Sequence, residues 1–188
     1  MKPKRNVRRK HRNILPWVLV GVGLIITGMV VVKSLPKGST GTEYSVVPAS
    51  VNFPAPELTL FNLSGNQVNL SDYRHDIVLV NNWATWCPPC KMEMPTLLKY
   101  YQEHSNDGFM LISIEAGEPA QEVSSFVDEY GLTFPVLLDP DNQSLAAFRN
   151  SSLPSSYVID LQGNVVLAWT GPISLEMLEK FVTPLLGN

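Results

Sequence analysis

Cys87 and Cys90 are the only thiols in the 188-residue chain, and they stand three positions apart as Cys87-Pro88-Pro89-Cys90. A bridge between them closes too small a loop to stabilise a fold appreciably, so the pair reads as chemistry. Ahead of it runs Ile77 to Trp83, IVLVNNW, with the composition of a buried strand, and behind it Pro88 to His104 has the composition of a helix. The thiolate is the nucleophile in disulfide exchange, and a helix N-terminus stabilises negative charge through its unpaired amides and its dipole. Cys87 is therefore the expected attacking sulfur. The offset lets Cys90 reach a mixed disulfide from inside the first turn and release the product. Pro88 and Pro89 are tolerated in that turn, where a backbone donor has no helical partner. They also remove amides that would stabilise a Cys87 thiolate, which predicts a less acidic thiol and a more reducing pair.

Other chemistries fit the residues less well. A zinc site needs about four ligands, whereas the chain has no further cysteine, and His75 and His104 show no ligand spacing. Haem attachment requires His directly after the second cysteine, where Lys91 stands. Two prolines and the preceding Trp86 do not resemble the surroundings of an inert buried pair.

The elements that must position the cysteines alternate. Glu57 to Leu70, broken at Ser64-Gly65-Asn66, predicts a β-hairpin. The strand Ile77 to Trp83 and the helix Pro88 to His104 follow, with Leu97, Leu98 and Tyr101 on its apolar stripe. Next come a strand over Phe109 to Ile114, a helix over Ala120 to Tyr130 stopped by Gly131, and a strand over Phe134 to Leu138. Gln143 to Arg149 reads as a short helix, Ser156 to Leu161 and Val165 to Thr170 as a hairpin about Gln162-Gly163-Asn164, and Leu175 to about Leu186 as a closing helix. This order predicts one α/β domain over residues 54–188, with a central mixed sheet flanked by helices and an added N-terminal hairpin.

Composition divides the rest of the chain. Of 188 residues 45% are hydrophobic and 16% charged, enough apolar content for one sizeable core. The net charge of -3 conceals an asymmetry. Residues 1–13 carry Lys2, Lys4, Arg5, Arg8, Arg9, Lys10 and Arg12 and no acid, whereas all 17 Asp and Glu lie from Glu43 onward. That distribution argues against nucleic-acid binding. Residues 14–32, ILPWVLVGVGLIITGMVVV, are uncharged and at 1.5 Å per residue cover about 28 Å, close to a hydrocarbon core of about 30 Å. The basic block before them predicts a cytoplasmic N-terminus and an uncleaved single-pass anchor. A cleaved signal peptide fits poorly, since its apolar region is usually about 7 to 15 residues and ends close to a small-residue site. Residues 33–53, with Pro36, Gly38, Gly41 and Pro48, read as a flexible tether with a reach of roughly 25 Å.

With these residues in view the chain resembles the thioredoxin superfamily, and more narrowly its membrane-anchored TlpA/ResA-like thiol-disulfide oxidoreductases. The resemblance rests on Val80-Asn81-Asn82-Trp83-Ala84-Thr85-Trp86-Cys87-Pro88-Pro89-Cys90, on Pro95, and on Leu153-Pro154-Ser155-Ser156-Tyr157-Val158-Ile159-Asp160. It implies a thioredoxin-like fold and, as catalytic residues, Cys87, Cys90 and Glu93, the last handling the proton of Cys90. It implies a cis peptide bond at Pro154, whose neighbouring backbone pairs with an extended client, so that Trp86, Pro88, Pro89, Leu153 and Pro154 form the substrate-binding set. Pro95 resembles the family's proline inside the helix that follows the cysteines. Two positions depart from the pattern. Asn81 stands where thioredoxins carry a buried Asp, which moves acid-base work towards Glu93, and Asn82 stands where the TlpA-like group usually has an aromatic residue.

The resulting expectation is an extracytoplasmic reductant in a bacterial cell membrane, needing no cofactor beyond the redox-active Cys87–Cys90 disulfide. Its partners would be exported disulfide-bearing clients, with apocytochrome c or a copper-site protein suggested by the resemblance, and a membrane electron donor. The alternatives are a disulfide-introducing oxidase, and a Cu(I) or haem chaperone using the dithiol as ligand with Met92 and Met94 beside it. A peroxidase ranks last. Beyond Lys33 the 17 acids face six Lys or Arg, which favours encounter with basic clients.

Overall fold

A computed structural model describes residues 46–187. The expected anchor at residues 14–32 and most of the tether lie outside this range, and among the described residues no helix is long and apolar enough to cross a membrane.

In chain order the elements are strands β1 (Ala49–Pro54), β2 (Thr59–Asn62), β3 (Gln67–Asn69) and β4 (Ile77–Trp83), helix α1 (Pro88–His104), β5 (Phe109–Ala116), α2 (Ala120–Tyr130), β6 (Val136–Asp139), α3 (Gln143–Ala147), β7 (Ser155–Ile159), β8 (Asn164–Thr170) and α4 (Leu175–Phe181). The strands form one mixed sheet in the order β1-β8-β7-β4-β5-β6-β2-β3. Strands β4, β5 and β6 run parallel, and β7 and β8 close the sheet antiparallel beside β4. This is the expected thioredoxin-like arrangement. The N-terminal hairpin forms with Leu60 opposite Val68 and docks on β6 through Phe61 and Asn62.

Every residue of β4 is buried, and period-two alternation sorts its side chains to the two faces. Ile77, Leu79 and Trp83 join Leu97, Tyr100, Phe126 and Trp169 in one core, while Val78 and Val80 join Ile112, Ile114, Phe148 and Tyr157 in the other. Each such large apolar side chain contributes about 1.5–3 kcal/mol on burial. This double covering makes β4 a rigid rail for the cysteines that follow it.

Two expectations need correction. Residues 49–53, read as tether, belong to β1, which pairs with β8 from Ala49 opposite Ala168 to Pro54 opposite Asn164. An edge strand whose residues are almost all exposed leaves no apolar rhythm for the sequence to display. The apolar stripe of α1 is also rotated from the expected one. Met94, Leu97 and Tyr100 are buried together with Cys90 and Glu93, whereas Leu98 and Tyr101 pack at the margin of that core. The helix runs through Pro95 and does not stop at Met94.

Candidate active site

The turn from β4 into α1 delivers the cysteines. Cys87 is the N-cap of α1, with extended backbone angles, and Pro88 and Pro89 occupy the first two helical positions. The cysteines are joined by a disulfide with their Cα atoms 5.3 Å apart. The Cys90 amide donates to Cys87 Sγ at 3.3 Å, placing the helix N-terminus against that sulfur. Cys90 is fully buried and Cys87 nearly so.

A cavity of about 350 Å³ opens beside Cys87, lined by Trp86, Pro88, Pro89 and Leu153 together with Ala116, Asn142, Leu145 and Ser151. Trp86, at 65% exposure, is with Val47 the most solvent-accessible of the large apolar residues among the described ones. The Leu153–Pro154 peptide bond is cis, and the Pro154 carbonyl accepts from the Gly171 amide at 2.9 Å. Five of the sequence-predicted residues thus line one cavity. Pro154 precedes β7 directly, while Cys90 and Glu93 lie in the buried layer beneath.

Glu93 sits three residues beyond Cys90 on the same face of α1, only 2% exposed. Its Oε1 accepts from Asn81 Nδ2 at 2.8 Å and its Oε2 from the Ile173 amide at 3.0 Å. Burial pushes its carboxyl up to about 8 from an ordinary 4.5, against the opposing pull of those two hydrogen bonds. A carboxyl held there takes up or gives up a proton near neutral pH. Asn81 also donates to Ser156 Oγ at 2.9 Å, so the amide that replaces a buried Asp ties Glu93 to β7.

Asn82, on the other face of β4, accepts from Ser144 Oγ at 2.6 Å and donates to Ser155 Oγ at 3.4 Å. Asp139 in turn accepts from the Gln143 and Ser144 amides at 2.8 Å, fixing the start of α3. Where an aromatic residue is usual, this chain carries a hydrogen-bonded polar layer under the cavity wall.

Sequence reasoning missed a further buried carboxyl beside the cysteine turn. Glu115, at the end of β5 and opposite Trp83 of β4, is fully buried. It accepts from the Glu118 amide at 3.1 and 3.3 Å, and Glu118 accepts from the Thr85 amide at 2.6 Å and from the Thr85 hydroxyl. A Glu near the end of the largely apolar strand sequence MLISIEA was the available signal.

Met92 is 63% exposed while Met94 is fully buried in the core, so the two thioethers diverge.

Residues 51–168 match the AhpC/TSA family. The chain is 37% identical over 139 residues to the thiol-disulfide oxidoreductase ResA of Geobacillus kaustophilus (strain HTA426), covering 74% of this chain and 79% of that one. It is 35% identical over 128 residues to ResA of Bacillus subtilis (strain 168), covering 68% and 72%. A crystal structure of a thiol:disulfide interchange protein of the thioredoxin family from Chlorobium tepidum TLS superposes with a TM-score of 0.66 at 27% identity, over 74% of this chain and 99% of that one. Sequence, fold and the disulfide at the head of α1 agree: the chain belongs to the AhpC/TSA family and, within the thioredoxin superfamily, to the ResA/TlpA-like thiol-disulfide oxidoreductases.

Proposed function

We propose that this oxidoreductase is a membrane-anchored, extracytoplasmic reductant of disulfides in exported proteins. The observation that carries the direction is the sparse hydrogen bonding of Cys87 Sγ. It accepts from the Cys90 amide alone among the first-turn residues, because Pro88 and Pro89 have no amide to offer. A poorly stabilised thiolate disfavours the dithiol form and makes the pair a stronger reductant.

In the forward reaction the Cys87 thiolate attacks one sulfur of a client disulfide, forming a mixed disulfide and expelling the client's other sulfur as a thiolate. Cys90, giving its proton to the ionised form of Glu93, attacks Cys87 Sγ and releases the second client sulfur as a thiolate. The protein's own disulfide then needs two electrons and two protons from a donor at the membrane. The basic block before residues 14–32 supports the anchor and the outward orientation of the domain. The resemblance to ResA supports a client such as apocytochrome c or a copper-site protein.

Cysteine-to-serine trapping tests this reading. With Cys90→Ser, the full-length chain should accumulate mixed disulfides through Cys87 to exported proteins, and with Cys87→Ser it should not. Clients should become more oxidised in cells lacking the protein. Accumulation of reduced clients in those cells would instead favour the oxidase. The Cu(I) chaperone reading would call on Met92 and Met94, whose divergence leaves the dithiol without that support.

A further inference from the structure

The mechanism above leaves Glu115 and Glu118 unused, although they reach the segment that carries the nucleophile. Thr85 stands in the turn between β4 and α1, two residues ahead of Cys87. Its amide and hydroxyl both end on the Glu118 carboxylate, and the Glu118 amide ends on the buried Glu115 carboxyl. The Cys87 amide closes the same turn by donating to the Ala84 carbonyl at 3.2 Å. An unbroken path of hydrogen bonds therefore runs from the end of β5 to the residue before Trp86.

We propose that Glu118 is a positioning residue for Cys87, clamping Thr85 ahead of the sulfur, and that Glu115 sets the strength of this clamp through its own protonation. The inference rests on the reading of Cys87 as the attacking sulfur. Both Thr85 donors end on the two oxygens of one Glu118 carboxylate, so that side chain alone holds the turn from this side. Glu115 faces that carboxylate and also Asp139 on β6, and none of these three acids forms an ion pair among the described residues. Burial first, then the Glu118 side chain and the charges of Glu118 and Asp139, push Glu115 up to about 8, against the pull of the Glu118 amide. Below that pH Glu115 is neutral and sits beside Glu118 without repulsion. Above it, two adjacent carboxylates repel and the hold on Thr85 loosens. Glu118 also keeps negative charge beside the Cys87 turn, which disfavours the thiolate and acts in the same direction as the two prolines.

The test uses the full-length chain in detergent micelles and two readouts. In the disulfide form, where the cysteines do not titrate, the Thr85 amide proton is followed by NMR from pH 5 to 10. It should titrate with a midpoint near 8 in the wild type, lose that titration in Glu115→Gln, and shift at every pH in Glu118→Gln. In the dithiol form, alkylation by iodoacetamide is mapped by mass spectrometry. Cys87 in Glu118→Gln should react about twofold faster than wild type at pH 6.5, the net of a larger thiolate fraction and a less nucleophilic thiolate. A Thr85 amide that ignores pH in the wild type, or that titrates unchanged in Glu115→Gln, overturns the role of Glu115. Unchanged Cys87 reactivity in a folded Glu118→Gln overturns the role of Glu118. Should Glu118→Gln not fold, Thr85→Val, which removes only the hydroxyl from the clamp, must change Cys87 reactivity for the proposal to stand. Wild-type peptide mapping separately shows which cysteine reacts first, so a failure of the Cys87 reading is distinguished from a failure of the clamp.

Discussion

Asn81 Nδ2 lies 2.8 Å from Glu93 Oε1, joining the strand before the cysteines to the acid behind them. With the Ile173 amide on the other oxygen, this holds the carboxyl in one place while burial holds its proton to about 8. The arrangement separates orientation from acidity: the amide of Asn81 adds no charge of its own, and the buried layer decides when Glu93 ionises.

Glu93→Gln keeps one acceptor oxygen for one of the two donors, turns an amino group towards the other, and cannot exchange a proton. Turnover on a protein disulfide should fall by about 10²-fold, and the pH–rate limb near 8 should vanish. A stopped-flow pH profile checks this, and retention of that limb in the variant would assign it to another group.

Stability should depend on pH through the same group. A carboxyl raised from 4.5 to about 8 on folding binds its proton more tightly in the native chain than in the unfolded one. Stability is then greatest below about 4.5 and falls as pH rises to about 8, for Glu93 and Glu115 alike, by on the order of a few kcal/mol. Denaturant midpoints of the disulfide form at pH 5 and pH 8.5 measure it. Glu93→Gln should narrow the difference, and a wild type equally stable at both would contradict the assignment.

Asn82 links Ser144 and Ser155 where the relatives usually place an aromatic ring. Asn82→Leu leaves the Ser144 hydroxyl buried without its acceptor and should cost about 1–3 kcal/mol. Thermal unfolding reads this directly. An unaffected midpoint would mean that the polar layer is replaceable by simple packing.

Trp86 projects at the mouth of the Cys87 cavity with 65% of its surface exposed. Trp86→Ala should raise KM for a protein disulfide by about tenfold, the loss expected of an aromatic anchor, while the rate with a small-molecule disulfide stays near wild type. Equal losses on both substrates would place Trp86 in the chemistry and not in client binding.

The sequence was most legible where burial on two faces or a turn motif left a clear pattern. IVLVNNW announced β4, Gly131 and the Gln162-Gly163-Asn164 turn marked real boundaries, and Cys87 fell at the helix N-cap as its neighbours required. The strand β1 was hidden because an exposed edge strand needs no apolar alternation. Glu115 and Glu118 were hidden for a different reason. Glu118 meets its partner Thr85 across 33 positions, Glu115 stands opposite Trp83, and only the parallel register of β4 on β5 brings them to the cysteine turn. Pairings set by crossover connections leave no local trace.

The reduction potential of the Cys87/Cys90 pair in the full-length chain, measured by equilibration against defined dithiol buffers, decides the direction of electron flow. A value at or below about -250 mV is the result expected of a reductant that draws on a dedicated electron supply, and a value near about -120 mV would make the protein an oxidant and contradict the proposed direction.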